Sequence, residues 1–276
     1  MKIVDPNVEI IQETNPLKRI ELCGRVCYKS EGKITDDSAK LFVEKLIRRG
    51  HTSVLEHARV MIPESGFRSL IPGSIPMGVA SRISERGCHM TSNVRDYLVL
   101  FPGTEAGQIG CLIPADDYMT VRFTCDRAIA NELVRHRVFS FSQESTRYVN
   151  YRTRGLEVIR PVPFEWAKQS GDPSELSDGL ADPRFQEWFF GCRQAEYKYH
   201  RMILEDCPPQ EARLVLPLST KTELIMTGTY PQWSEMLKLR LDRAAHPQMR
   251  YLMKLLVSRA DFPSKKISVP KGVGGK

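Results

Sequence analysis

The spacing of hydrophobic residues predicts a chain in which amphipathic helices alternate irregularly with half-buried strands. Apolar positions recur with the period of a helix in "PLKRIELCGRVCYK" (16–29) and in "DDSAKLFVEKLIRRG" (36–50). A period of two, typical of strands, occurs in "VEIIQET" (8–14), "ARVMIPES" (58–65) and "DYMTVRFTCD" (117–126). The N-terminal half therefore combines both kinds of element.

The C-terminal half continues this mixture. Its pattern predicts a helix over 127–137, a strand over 156–162, a long helix over 182–206, a strand over 221–230 and closing helices near 231–241 and 247–260. The elements show no regular β-α-β alternation, and no glycine-rich GxGxxG loop occurs. A doubly wound nucleotide-binding fold is therefore not expected.

Two stretches lack a periodic pattern. Residues 65–115 are rich in Gly and Pro, which predicts an excursion from the core. The basic tail "SKKISVPKGVGGK" (264–276) is predicted to be mobile.

Composition narrows the range of partners. The 276 residues include 40 Lys and Arg against 33 Asp and Glu, for a formal net charge of +7. This balance favours anionic ligands such as nucleotides, although a merely basic surface would explain it equally. The 7 cysteines form no CxxC pair or zinc-type cluster, and no apolar run reaches membrane-spanning length. We expect a reduced, cytoplasmic, soluble protein without a metal site or a membrane segment.

The segment "RHRVFSFSQESTRY" (135–148) concentrates cations and hydroxyl groups. On the predicted helix 127–137 the apolar stripe consists of Ile129, Ala130, Leu133 and Val134. A cationic helix end would explain one or two basic residues, but not the hydroxyl-rich loop and Arg147 that follow. In extended chain Ser145 and Arg147 would face the same way. Hydroxyls, backbone N–H groups and a forked guanidinium suit a phosphate, so we predict an anion site here.

Arg240 is the second anomaly, because it continues the apolar stripe of Trp233, Met236 and Leu237 in "PQWSEMLKLRL". A buried unpaired charge is unfavourable, so the guanidinium needs a polar partner or lies at the core edge. Arg213 in "EARLVLP" is a weaker candidate. The segment "HTSVLEH" (51–57) lacks the i, i+4 histidines of a metalloprotease, and we interpret it as a capped turn.

Four segments resemble the flavin-dependent thymidylate synthases. Arg135, His136 and Arg137, seven further residues and Ser145 match that family's RHRx₇S signature. "GHTSVLEH" resembles its H-x-[ST]-x-x-E-H segment, "ARLVLP" its Arg-x-V-L-P stretch and "LKLR" its closing catalytic arginine. The resemblance covers about 25–64 and 118–258, with 65–117 looking like an insertion.

The resemblance implies an α/β fold of the α+β type, in one domain over 1–276 with a central, mostly antiparallel sheet flanked by long helices. It also implies ligand contacts. Those to FAD fall on Ser53, Arg135, His136, Arg137 and Gln143, with Thr229 and Glu235 where Asn residues often contact flavin. Those to deoxyuridylate (dUMP) fall on Glu132, Arg135, Gln143, Glu144, Ser145, Thr146, Arg147, Arg213 and Arg240. Glu132 departs from the family pattern, which often has Gln there.

The activity implied is the reductive methylation of dUMP to dTMP, with methylenetetrahydrofolate as one-carbon donor and NADPH as reductant of FAD. Arg240 would be the catalytic residue, favouring the N3-ionised uracil. No cysteine nucleophile is needed, and a homotetramer with sites at subunit junctions is expected, with neither nucleic acid nor membrane as partner. Methylation of another uracil nucleotide such as UMP is the alternative. A non-enzymatic RNA-binding module is the rival from a different class, although no RNP-type aromatic motif occurs.

Overall fold

The computed structural model describes residues 1–62, 83–86, 89–147, 149–168 and 182–270. Nine strands are formed: β1 Lys2–Val4, β2 Asn7–Ile10, β3 Arg59–Ile62, β4 Ser84–Arg86, β5 His89–Asn93, β6 Tyr118–Asp126, β7 Ser140–Gln143, β8 Glu157–Ile159 and β9 Lys221–Thr229, within these ranges. The helices there are α1 Pro16–Tyr28, α2 Ser38–Arg48, α3 Val94–Leu100, α4 Ala106–Gly110, α5 Arg127–Leu133, α6 Tyr151–Arg154, α7 Pro183–Leu204, α8 Pro209–Ala212, α9 Tyr230–Arg240 and α10 Pro247–Val257. None of the described helices is both long and apolar enough to span a lipid bilayer.

The largest sheet is antiparallel, with four strands in the order β2-β6-β9-β7. Its centre is the pairing of β6 with β9, whose register runs from Tyr118 opposite Thr229 to Asp126 opposite Lys221. Seven consecutive residues of β9 are buried, as expected for a strand covered on both faces. The predicted mixture of helices with an antiparallel sheet is confirmed.

The main hydrophobic core lies between this sheet and helices α5, α9 and α10. On α9 the side chains of Trp233, Met236 and Leu237 are at most 1% exposed, as their helical spacing predicts. The indole N–H of Trp233 donates to the carbonyl of Met119 on β6 at 3.0 Å, which satisfies its buried polar group. The buried side chains and this hydrogen bond together fix the position of α9 on the sheet.

A second core joins α1 and α2 to a three-stranded antiparallel sheet of order β3-β5-β4. Val94 of α3 and Ile109 of α4 are fully buried in it, beside Ile20 and Val43. The predicted excursion over 65–115 is therefore wrong for 83–86 and 89–115, which build this core, whereas 65–82 and 87–88 lie outside the described residues.

The structure corrects three boundaries. Helix α5 ends at Leu133 and not at 137, because Arg135 and His136 bond backwards by three residues in tighter turns, and Val134 is exposed. Strand β2 ends at Ile10, short of the predicted 14, because Asn15 caps α1. The predicted mobile tail is wrong for 264–270, where Ile267 packs into the main core at 1% exposure.

Candidate active site

The predicted site residues of 132–147 lie at the two ends of strand β7. The turn with Arg135, His136 and Arg137 precedes the strand, and the segment 144–147 follows it. A strand of four residues spans roughly 13 Å. The predicted contacts to flavin and nucleotide on this segment are therefore divided between two places on one chain.

The turn before β7 is held by Phe139, which packs edge-on against Trp233 with ring centroids 4.9 Å apart. The ring lies over Gly228, where an added Cβ would come within 2.3 Å of a Phe139 carbon. Only glycine leaves room for this approach, because the strand backbone cannot move away. The buried ring leaves Arg135 and Arg137 exposed beside it.

Arg240 contacts the region before β7 through three hydrogen bonds to His136 and Glu132. Its Nε donates to Nε2 of His136 at 2.8 Å, its Nη1 to Oε2 of Glu132 at 3.0 Å, and its Nη2 to the carbonyl of Glu132 at 3.2 Å. Burial, together with the Arg240 guanidinium, lowers the pKa of His136 below its usual range. His136 is therefore neutral near pH 7 and accepts from Arg240.

The segment after β7 is tied to the protein through Glu144 and Thr146, both buried. Glu144 Oε2 lies 3.6 Å from Nζ of Lys29 and 3.5 Å from Nζ of Lys221, and Thr146 accepts from Arg213 Nη1 at 3.3 Å. The backbone N–H of Arg147 donates to Ser145 Oγ at 3.3 Å, which closes a tight turn. The expectation that Ser145 and Arg147 face one way in extended chain is therefore wrong.

Beneath this segment lies a buried cluster of charges centred on Glu223. Its carboxylate accepts from Lys29, from Lys221 at 2.7 Å and from Arg122. Burial alone would raise the pKa of Glu223, but the hydrogen bonds from Lys221 and Lys29 outweigh it and bring that pKa to about 2. The pKa of Lys221 is raised despite its burial, because Glu144 and Glu223 face it.

The segment 51–57 forms a 3₁₀ turn, Thr52–His57, that ends in a fully buried histidine. His57 lies 2.7 Å from the Thr227 hydroxyl through Nδ1 and 2.9 Å from the Ser142 hydroxyl through Nε2. Burial lowers its pKa to about 3, so the imidazole is neutral and links β7 to β9. Across the described ranges, no group of three or more His, Cys, Asp or Glu residues could hold a metal ion.

A cavity of about 470 Å³ opens between this turn, α1 and β7. Ser53 and Gln143, both predicted from sequence, line it together. The other lining residues supply hydroxyls, aromatic rings, a thiol, one cation and a few small or aliphatic groups: Gly24, Cys27, Tyr28, Phe42, Leu46, Gly50, His51, Thr52, Val54, Arg95, Phe141 and Ser142. Thr229 and Glu235 lie elsewhere, at the N-cap and on the exposed face of α9.

Sequence reasoning missed Arg95 and Glu56. Glu56 accepts from Arg95 Nη1 at 2.5 Å and from the Ser140 hydroxyl at 2.8 Å, so it joins α3 to the start of β7. Glu56 stands inside the quoted motif "GHTSVLEH" and could have been singled out there. Arg95 carried no such signal, because it lies in the stretch with no recognisable period.

Five of the six cysteines in the described residues have raised pKa values and are not activated as nucleophiles. Burial raises the pKa of Cys23 to about 12 and that of Cys192 to about 11. It also raises the pKa values of Cys27, Cys125 and Cys207. These thiols are protonated near pH 7, and only the thiolate is a strong nucleophile.

Comparison with known proteins supplies the family. The sequence profile of the family described as "Thymidylate synthase complementing protein" matches residues 9–66 and 117–263. A flavin-dependent thymidylate synthase of Geobacter sulfurreducens is 24% identical over 253 residues, which cover 89% of this chain and 78% of that protein. One from Synechocystis is 29% identical over 140 residues, covering 48% and 60% of the two chains.

Similarity extends to further proteins. A flavin-dependent thymidylate synthase of Mycobacterium bovis is 24% identical over 84% of this chain and 70% of its own. The crystal structure of the UMP/dUMP methylase PolB from Streptomyces cacaoi, bound with 5-Br dUMP, aligns over 92% of this chain and 89% of that one, with 18% identity and a TM-score of 0.42. The profile match covers well over half of the sequence, so this chain belongs to the thymidylate synthase complementing protein family.

Proposed function

We propose that this chain catalyses the reductive methylation of dUMP to dTMP, with FAD as cofactor and with NADPH and methylenetetrahydrofolate as co-substrates. The observation that carries the proposal is the arrangement around β7. Exposed arginines and the Arg240 contact precede the strand, and an anchored loop and a polar-aromatic cavity adjoin its other end. The relatives named flavin-dependent thymidylate synthases support it.

The residues present fit a flavin. The cavity offers the rings of Phe42 and Phe141 as apolar wall for a ring system and the side chains of Ser53 and Gln143 for its polar edge. The exposed guanidinium groups of Arg135 and Arg137 suit a pyrophosphate. When bound and reduced by NADPH, FAD would supply the reducing equivalents of the methylation.

The nucleotide would lie against Ser145, Thr146, Arg147 and Arg213, whose hydroxyls and guanidinium groups suit its phosphate. Arg240 would take the uracil, stabilising the negative charge of the N3-ionised ring and so making C5 more nucleophilic. Glu132 and His136 hold the guanidinium in a fixed plane at 2.8–3.2 Å. That contact preorganises the charge before the substrate arrives.

We further propose a homotetramer with a flavin-dependent thymidylate synthase fold that works in the cytoplasm, with 65–117 as an insertion in its single domain. The roughly 13 Å between the two ends of β7 supports shared sites, since the arginines of one chain could serve the cavity of another. In such an assembly the arginines and the cavity of one active site can come from different chains.

The test of the function is an assay of the purified protein with FAD, NADPH and methylenetetrahydrofolate, supplied with either dUMP or UMP. We expect dTMP to form from dUMP, with loss of NADPH absorbance in equal amount. If UMP is methylated with a comparable or higher kcat/KM, the substrate assigned to the enzyme is another uracil nucleotide and not dUMP. Absence of flavin binding and of any methylated product would refute the enzyme assignment.

Replacing Arg137 by alanine should weaken FAD binding by about 10- to 100-fold, because one charge-assisted hydrogen bond to a phosphate is lost. Arg137 is a cleaner choice than His136, since His136 also contacts Arg240. Titration of the apoprotein with FAD, followed by flavin fluorescence, measures the change. Arg193→Ala, which removes an exposed arginine of α7, is the control, and equal FAD affinity of the two variants would contradict the assignment.

A further inference from the structure

A second cavity, of about 560 Å³, adjoins the one that holds Ser53 and Gln143. Tyr28, Phe42, Leu46 and His51 line both cavities, so the two form one continuous depression. We call the second cavity the basic groove, because Arg25, Lys33, Lys45 and Arg49 line it and no carboxylate does. Its floor also offers the exposed side chains of Tyr28 and Leu41.

The charge of the basic groove is mostly uncompensated. Arg25 is paired with Glu21 at 2.7 Å and lies over the Phe42 ring at 4.7 Å. Lys33, Lys45 and Arg49 are exposed, and no ion pair to them exists among the residues that the structure describes. Lys45 in the last turn of α2 and the C-cap residue Arg49 lie four residues apart, close enough for their like charges to repel. An anion in the groove would remove that repulsion.

The positions of these cations indicate what kind of anion the basic groove would bind. The macrodipole accounts for one or two cations at the end of α2. It does not account for Lys33, which comes from the separate turn Glu31–Lys33 and meets them across the groove. Lys45 and Arg49 are separated by about 6 Å along the helix axis. Cations spread in this way suit a chain of separate negative groups better than one compact phosphate.

We propose that the basic groove binds a short chain of carboxylates, the glutamyl tail of the folate co-substrate. The proposal rests on the proposed function, in which a folate donates the one-carbon unit. The reactive end of the folate would lie beside the flavin, at the mouth of the cavity of Ser53, and its tail would continue past Tyr28 and Phe42 into the groove. Lys33, Lys45 and Arg49 would then pair with successive carboxylates.

The test compares monoglutamyl with triglutamyl methylenetetrahydrofolate. The parent enzyme should show a KM about tenfold lower for the triglutamyl form, the size expected for two or three partly exposed ion pairs. Lys45→Ala combined with Arg49→Ala should abolish this preference without changing kcat. Arg48→Ala removes a neighbouring exposed cation of α2 that does not line the groove, and it should keep the preference.

Two further measurements separate the outcomes. Calorimetric titration of parent and double variant with triglutamyl tetrahydrofolate tests the groove without turnover, and equal affinities would overturn the proposal. The other anion that could occupy the groove is the additional phosphate of NADPH. A comparison of the KM values for NADPH and NADH tests this alternative. If the double variant loses discrimination for the additional phosphate of NADPH and keeps the folate preference, the groove binds phosphate and the tail assignment is wrong. If thymidylate forms with equal KM values for both folates, the proposal that the groove binds the glutamyl tail is refuted, whereas the proposed function still holds.

Discussion

Replacing Arg240 by lysine is expected to lower thymidylate formation by roughly 10²- to 10³-fold in a chain that still folds. The guanidinium makes three directed hydrogen bonds to Glu132 and His136, which fix the orientation of its plane. An ammonium keeps the charge but has no fork with which to stabilise an ionised uracil. Donors of this kind contribute about 3–4 kcal/mol to a transition state, at about 1.4 kcal/mol per decade of rate.

Three measurements on the same preparation distinguish a catalytic role of Arg240 from a structural one: melting temperature, reduction of FAD by NADPH, and dTMP formation. Flavin reduction should survive much better than methylation, since Arg240 is assigned to the uracil. Arg243→Lys, at an exposed position shortly after α9, is the matched control and should behave as the parent. A folded Arg240→Lys enzyme with normal turnover would show that the arginine only covers the edge of the core.

Replacing Glu223 by alanine should lower the free energy of unfolding by about 3–5 kcal/mol. Its buried carboxylate accepts hydrogen bonds from Lys29, Lys221 and Arg122, and the variant leaves three cations to the remaining carboxylates, chiefly Glu144 and Glu31. Breaking one member of a buried ionic cluster is costly because the remaining charges stay desolvated. Urea unfolding followed by circular dichroism measures the difference.

The pH dependence of this difference follows from the lowered pKa of Glu223. A carboxylate with a folded pKa of about 2, against an ordinary 4.5, stabilises the fold above the ordinary value and loses that effect as the pH falls towards 2. The gap between parent and variant should be constant from neutral pH to about 5 and should narrow below about 4.5. Glu165→Ala, which removes an exposed carboxylate paired with Lys168, should cost less than about 0.5 kcal/mol. A gap that does not change with pH would contradict the charge assignment.

Long apolar patterns with clear end signals predicted their elements well. Helices α1, α2, α7, α9 and α10 and strands β6 and β9 lie within a few residues of their predicted ranges. Strand β7 was missed, because Ser140 and Ser142 give it the composition of a loop. Its strand conformation comes from pairing with β9, more than 80 residues later in the chain. Local patterns carry no information about such a partner.

The site shows the same division between local and distant information. That Arg240 needs a polar partner followed from its place on an apolar stripe, but the partners Glu132 and His136 are more than 100 residues away in sequence. The cluster around Glu223 was missed for a similar reason. Lys221 lies two residues before Glu223 on the same strand, but Lys29 comes from the end of α1 and Arg122 from β6, and only tertiary packing brings these two to the carboxylate.

Arg95 has a consequence for how enzymes of this kind can diversify. It lines the cavity of Ser53 and pairs with Glu56, yet it belongs to the stretch 67–116 that the family profile does not match. Its described parts, 83–86 and 89–116, contribute to the second core, and their strands belong to the three-stranded sheet and not to the four-stranded one. Substitutions between 89 and 116 can therefore change the wall of a ligand cavity while the residues around Arg240 keep their packing. For laboratory evolution, a library confined to the exposed positions of this part, Arg95 among them, would explore ligand preference without disturbing the buried side chains of the second core.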